Sequence, residues 1–128
     1  MTDTIAITVD CSADDFEKVA AFWAAALGYE RVLPGYLIDP AGERPRLAFE
    51  VVPEPKVVKN RWHVDLYVEN LEALEPRVRQ LVDLGAVELY HLDEVTQGFT
   101  NVFTAMRDPA GNEFCVCAPH IPVDQTAS

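Results

Sequence analysis

The chain has 128 residues, 49% of them apolar and 24% charged. That is the balance of a globular chain rather than a disordered one, and a single domain commonly holds about 100–150 residues. No uncharged stretch approaches the about 20 residues of a membrane helix. Met1–Asp10 has neither a basic start nor a following apolar block, so neither a membrane span nor a signal peptide is expected, and the expected location is the cytoplasm. The net charge of −11 argues against nucleic acid or an anionic membrane as partner. The acid is uneven: residues 1–61 hold 10 acids against 7 bases, net −3, and residues 62–128 hold 11 against 3, net −8. Surplus acid serves solubility and also suits a cationic ligand. Cys11, Cys115 and Cys117 are odd in number and lack zinc-finger or C-x-x-C spacing, so reduced thiols are expected rather than a disulfide framework.

Ile5–Asp10 alternates large apolar with small or polar residues, which predicts a half-buried strand. Ser12 and Asp15 fit a capping box, and Phe16, Val19, Ala20, Trp23, Ala26 and Leu27 recur at helical spacing, predicting a helix over 14–27 that ends at Gly28. Short strands are expected at Tyr29–Leu33 and Tyr36–Ile38, then an Asp39-Pro40-Ala41-Gly42 turn and a strand over Arg46–Val52. Residues 53–61, with two prolines and three bases, read as a connector. Lys56, Lys59 and Arg61 there meet an anionic ligand or the other half of the chain, or lie in solvent. The order then repeats. Trp62–Val68 is an alternating strand. A helix follows with Leu74, Val78, Leu81 and Val82 on one side, regular from about Glu75 because Pro76 cannot sit mid-helix, and it ends at Leu84-Gly85. Strands Ala86–His91 and about Val102–Arg107, a second Asp108-Pro109-Ala110-Gly111 turn, a strand over Glu113–Ala118 and a tail from Pro119 complete the chain.

Each half thus has a Leu-Gly helix end and an Asp-Pro-Ala-Gly turn before its last strand, the signature of an internal repeat. The expected fold is α+β: two βαβββ modules, about 4–52 and 62–118, in one domain. They are expected to form one curved mixed sheet around a central cleft, with the helices on the outer face. Alternation divides the strands into two faces. Ile5, Ile7, Val9, Leu47, Phe49, Val51, Val64, Leu66, Val68, Phe114 and Val116 are expected under the helices. The opposite faces collect Thr8, Asp10, Glu50, His63, Asp65, Tyr67 and Cys115, the composition of a polar binding pocket. Trp23 lies on the buried helix stripe and is expected in the core.

Four stretches carry a resemblance: Ala21–Trp23 with Ala26–Tyr29, Val52–Lys56, Asn60–Leu66, and Asp108–Val116. Together they resemble the vicinal oxygen chelate superfamily of glyoxalase I, extradiol dioxygenases, fosfomycin-resistance enzymes and bleomycin-binding proteins, in particular its bacterial glyoxalase-like domains. The resemblance implies two βαβββ modules and, in metal-using members, His or Glu on each module's first strand and Glu on each module's last. Carried over, His63 and Glu50 fall on ligand positions. The first strand offers Thr8, or Asp10 in a shifted register, and the last strand offers Cys115 where a carboxylate is usual.

Two functions are open at this point. One is a small-molecule-binding protein of the glyoxalase/bleomycin-resistance type that holds an organic ligand between the modules with no obligatory metal. The other is a metal-assisted lyase, isomerase or dioxygenase with Glu50 as base and His63, with or without Cys115, holding a divalent ion. Cys115 is a ligand, a nucleophile or a small buried thiol; thiolate and imidazole suit Zn²⁺, whereas Mg²⁺ and Mn²⁺ want more oxygen. A homodimer is expected, because curved sheets leave strand edges that a second chain can cover.

Overall fold

The computed structural model describes residues 3–123, which divide into two compact units: residues 3–59 with 109–111, and residues 60–108 with 112–123. The last five residues of the expected tail lie outside the described chain.

In the first unit β1 is Ala6–Cys11, α1 is Phe16–Leu27, β2 is Glu30–Leu33, β3 is Tyr36–Ile38 and β4 is Arg46–Val51. The helix starts two residues later than its spacing suggests. Ser12 closes the turn before it, its Oγ accepting from the Asp15 amide at 3.2 Å and its carbonyl from the Phe16 amide at 3.1 Å. Gly28 ends it at φ 68°, a left-handed backbone that a side chain would strain. Val19, Ala20, Phe22, Trp23 and Ala26 are buried, so Trp23 is core as expected, with its ring edge-on to Phe22 at 5.2 Å. The strand order is β1-β4-β3-β2, with β1 parallel to β4 and the other pairs antiparallel. Leu37, Leu47 and Phe49 form the covered face. Each such side chain contributes about 1.5–3 kcal/mol on full burial. Ile5, Ile7 and Val51, expected under the helix, are exposed. They lie on the edge strand β1, or just before it, and at the end of β4, beyond the helix's reach.

The second unit repeats the plan with β5 Val64–Tyr67, a 3₁₀ turn over Leu71–Ala73, α2 Leu74–Asp83, β6 Val87–Thr96, β7 Phe99–Arg107 and β8 Glu113–Cys117, in the order β5-β8-β7-β6 with β5 parallel to β8. Asn70 Oδ1 accepts from the Ala73 amide at 3.0 Å, and Pro76 sits in the first turn of α2, where its missing N–H costs nothing. Leu74, Val78 and Leu81 are buried, but Val82 is exposed at 41% and leaves the predicted stripe. The strand expected over 62–68 covers Val64–Tyr67, and Trp62 is 91% exposed. Strands β6 and β7 run longer than expected because a tight turn joins them: Gln97 and Gly98 sit at φ 54° and 81°, the mirror-image turn that matches strand twist. The beginning of the expected tail is bound to β7, with the Thr100 amide donating to Ile121 O at 2.8 Å and the Val123 amide to Gly98 O at 2.9 Å.

The eight strands pair as two sheets of four where one sheet was expected; the βαβββ order of each half is as the sequence implies. The repeated turns are equivalent in chemistry. Asp39 is 7% exposed and accepts from the Ala41, Glu43 and Arg44 amides at 3.0–3.2 Å; Asp108 is 3% exposed and accepts from the Asn112 amide at 2.9 Å.

Candidate functional site

In each sheet the helix covers one face, and the strand registers place the candidate polar residues on the other. In the first unit Asp10 stands opposite Glu50 and Thr8 opposite Ala48 across the β1–β4 ladder. Thr8, Asp10 and Glu50 are exposed. Tyr36 shares this face, with the Arg46 guanidinium 5.5 Å from its ring centre.

The second unit brings its candidates together. The chain entering β5 is clamped to β8: the Asn60 amide donates to Glu113 Oε1 at 2.9 Å and Asn60 Nδ2 to Glu113 O at 3.1 Å. Three residues later His63 precedes β5, and its Nε2 lies 3.1 Å from Asp65 Oδ1, both side chains being about 40% exposed (42% and 40%). Asp65 is the register partner of Cys115, and Tyr67 of Cys117. One ligand-type atom from each of His63, Asp65 and Cys115 lies within 4.8 Å of the others. Cys115, for which a small buried thiol was one of three readings, is half-buried; Cys11 and Cys117 are the buried ones, and no disulfide joins the three. Burial pushes the Cys117 thiol up to about 12, with the Asp65 charge adding to it and Cys117 hydrogen-bonded to Asp65. Burial also raises the Tyr67 phenol.

One member of this face was not legible in the sequence. His120 Nδ1 lies 3.0 Å from Thr100 O and must donate to it, since a carbonyl only accepts. In the neutral imidazole Nε2 then accepts, with the Tyr67 hydroxyl as its donor at 2.9 Å. The tail's pairing with β7 puts His120 there, and nothing in the spacing of Pro119 and Pro122 announces that pairing. His91 is different: its Nδ1 lies 2.9 Å from Thr104 Oγ1, a nearly buried hydroxyl on the helix side of the sheet.

The oxygen-rich metal set implied by the resemblance does not fit these residues. Its four positions hold Thr8, Glu50, His63 and Cys115, where a neutral hydroxyl and a thiol replace two charged or imidazole ligands. Asp10 faces the same way as Glu50, two strand positions beyond Thr8.

The glyoxalase-like domain family model matches residues 6–117. No curated protein matches the sequence. Solved structures of similar fold include a glyoxalase/bleomycin resistance protein/dioxygenase family enzyme from Burkholderia phytofirmans, at TM-score 0.69 and 15% identity over 91% of this chain and 98% of that one. A fosfomycin resistance protein from Listeria monocytogenes is similar at TM-score 0.67 and 14% identity over 93% and 94%. A glyoxalase-related enzyme from Fulvimarina pelagi is similar at TM-score 0.65 and 16% identity over 92% and 89%. With most of its length matched and the two βαβββ modules in place, the chain belongs to the glyoxalase-like domain family of the vicinal oxygen chelate superfamily.

Proposed function

We propose that the protein binds a small organic ligand, of net positive charge, on the open sheet face that carries His63, Asp65, Tyr67 and Cys115, and that this binding needs no metal. The observation that carries the reading is the convergence of His63, Asp65 and Cys115 within 4.8 Å on the face left uncovered by the helix. Few converging polar groups beside aromatic surface are what small-molecule sites use to fix orientation. The 11 acids against 3 bases in residues 62–128 favour a cation. A homodimer in the cytoplasm completes the proposal.

The test is a thermal-shift panel in EDTA that includes metal-free bleomycin (a cationic glycopeptide), the anion fosfomycin and neutral compounds. Stabilisation by cationic members that is lost in His63→Ala and Asp65→Asn supports the reading. No stabilising member, or shifts that survive both substitutions, contradicts it.

One observation favours a second reading, an enzyme. Asp65 holds His63 by Nε2, which orients the imidazole so that Nδ1 can serve as the proton-transfer atom. Turnover that falls in His63→Gln while ligand affinity stays unchanged would favour it over simple binding.

A further inference from the structure

We propose that Cys115 is a nucleophile, with His63 as its base and Asp65 positioning the imidazole, and that the electrophile it captures is an α,β-unsaturated carbonyl compound. The three residues lie on the face assigned above to ligand binding, but the inference rests neither on the charge of that ligand nor on its identity.

The pairing of β5 with β8 assembles the group. Asp65 and Cys115 are register partners on neighbouring strands, which lie about 4.8 Å apart. His63 precedes Asp65 by two positions and shares its side of the chain, with Nε2 3.1 Å from Asp65 Oδ1. An ionised carboxylate only accepts, so in the neutral imidazole Nε2 carries the hydrogen and Nδ1 keeps the lone pair. One nitrogen of His63, one oxygen of Asp65 and the Cys115 sulfur fall within 4.8 Å of one another. Contacts of this kind are often long before substrate binds and tighten in the complex. His63 and Asp65 are 42% and 40% exposed, and Cys115 is half-buried. The imidazole therefore has room to turn, and the sulfur can be approached. A nucleophile, a base and a third group that orients the base make the pattern of an activated thiol. Cys117 is no rival, because burial and the Asp65 charge hold its thiol protonated, up to about 12.

The place of Cys115 in the sheet selects the reaction. β8 runs between β5 and β7, so its amides are directed at those neighbours in the two ladders. Acyl transfer needs N–H donors aimed at an oxyanion on the attacked carbon, and an inner strand has none to aim. Conjugate addition puts the developing charge on a carbonyl two carbons beyond the new bond, away from the sulfur. In that step His63 Nδ1 takes the Cys115 S–H proton and the sulfur forms a C–S bond at the β-carbon. The C=C π pair moves to the α-carbon and its carbonyl, and the proton passes from His63 to the α-carbon. Nothing leaves, and no oxidant or reductant is consumed.

The experiment uses the full chain at neutral pH, with acrylamide as the probe and adducts read by peptide mass. Cys115 should react at least about tenfold faster in the folded chain than in the same chain in urea, where the base is no longer held beside it. His63→Gln and Asp65→Asn should each lower the folded rate at least about tenfold. Asp65→Glu, which keeps a carboxylate, should restore most of what Asp65→Asn loses. A folded rate no greater than the rate in urea overturns the proposal on the unsubstituted chain, so a variant that fails to fold cannot shield it. An unchanged rate in His63→Gln or Asp65→Asn, an Asp65→Glu rate as low as that of Asp65→Asn, or fast addition mapped to Cys117 overturns it equally. Adducts are read by mass and reversible binding by melting temperature, so either claim can fail while the other stands.

Discussion

Asp65 faces Cys115 across the parallel pairing of β5 with β8, and Asp10 faces Glu50 across the parallel pairing of β1 with β4. The two modules therefore repeat one device: an acid on the first strand set beside a reactive group on the last, on the side away from the helix. The resemblance places the ligand position of β5 at His63. The geometry makes Asp65 an equal member of that site, joined to His63 at 3.1 Å and opposite Cys115.

The three cysteines should react at different rates. Cys115 is half-buried, while Cys11 and Cys117 are buried and burial pushes the Cys117 thiol up to about 12. At pH 8 iodoacetamide should label Cys115 first, with Cys11 and Cys117 labelled only after denaturation, since the thiolate is the nucleophile. Peptide mass mapping showing Cys117 labelled first in the folded protein would be inconsistent with this burial.

Asp39 should set part of the acid limb of stability. The Arg44 guanidinium, opposed by desolvation and helped by the Ala41, Arg44 and Glu43 amides, holds its carboxyl down to about 2. A carboxyl lowered in the folded state stabilises above its unfolded value of about 4, and that contribution is lost as pH falls toward the folded value. Asp39→Asn should lower the Tm at pH 7 and flatten the decline between about pH 4 and 2. Melting curves that stay parallel to wild type across that range would refute the assignment.

Burial separates two large apolar side chains of the second unit. Leu81 is 0% exposed and Trp62 is 91% exposed. Leu81→Ala should cost about 2–5 kcal/mol by urea unfolding, and Trp62→Ala should stay within about 0.5 kcal/mol. A loss at Trp62 comparable to that at Leu81 would show that some contact covers the indole in solution.

These two residues also mark what the sequence could and could not show. The helices, the Leu-Gly ends, both Asp-Pro-Ala-Gly turns and the βαβββ order follow from local periodicity and turn chemistry, and all are found. Strand alternation correctly sorted His63, Asp65, Tyr67 and Cys115 onto one face. It failed at Ile5, Ile7 and Val51 because alternation says which side a residue faces, not whether a helix reaches far enough to cover it. The β6–β7 hairpin was underestimated because Gln97-Gly98 is not the Asn-Gly that usually announces such a turn. His120 was missed because its place depends on pairing between the tail and β7, a contact 20 residues apart in sequence.

The proposed homodimer has its own check. The edge strand β1 carries Ile7 at 38% exposure, and Ile5 just before it is 65% exposed. Apolar edge positions of this kind are a template for pairing. Light scattering at micromolar protein should return the mass of two chains, and Ile7→Lys should shift it toward one. The mass of one chain for the wild-type protein would rule the dimer out.

The central claim is that the uncovered face of the second sheet is the binding surface, and amide chemical-shift mapping tests it most directly. The titrant is the compound from the EDTA panel with the largest thermal shift, added to isotope-labelled protein. Perturbations should concentrate on residues 63–67, 115–117 and 120, and disappear in Asp65→Asn. Perturbations concentrated on α2, or an unchanged pattern in Asp65→Asn, would contradict the account.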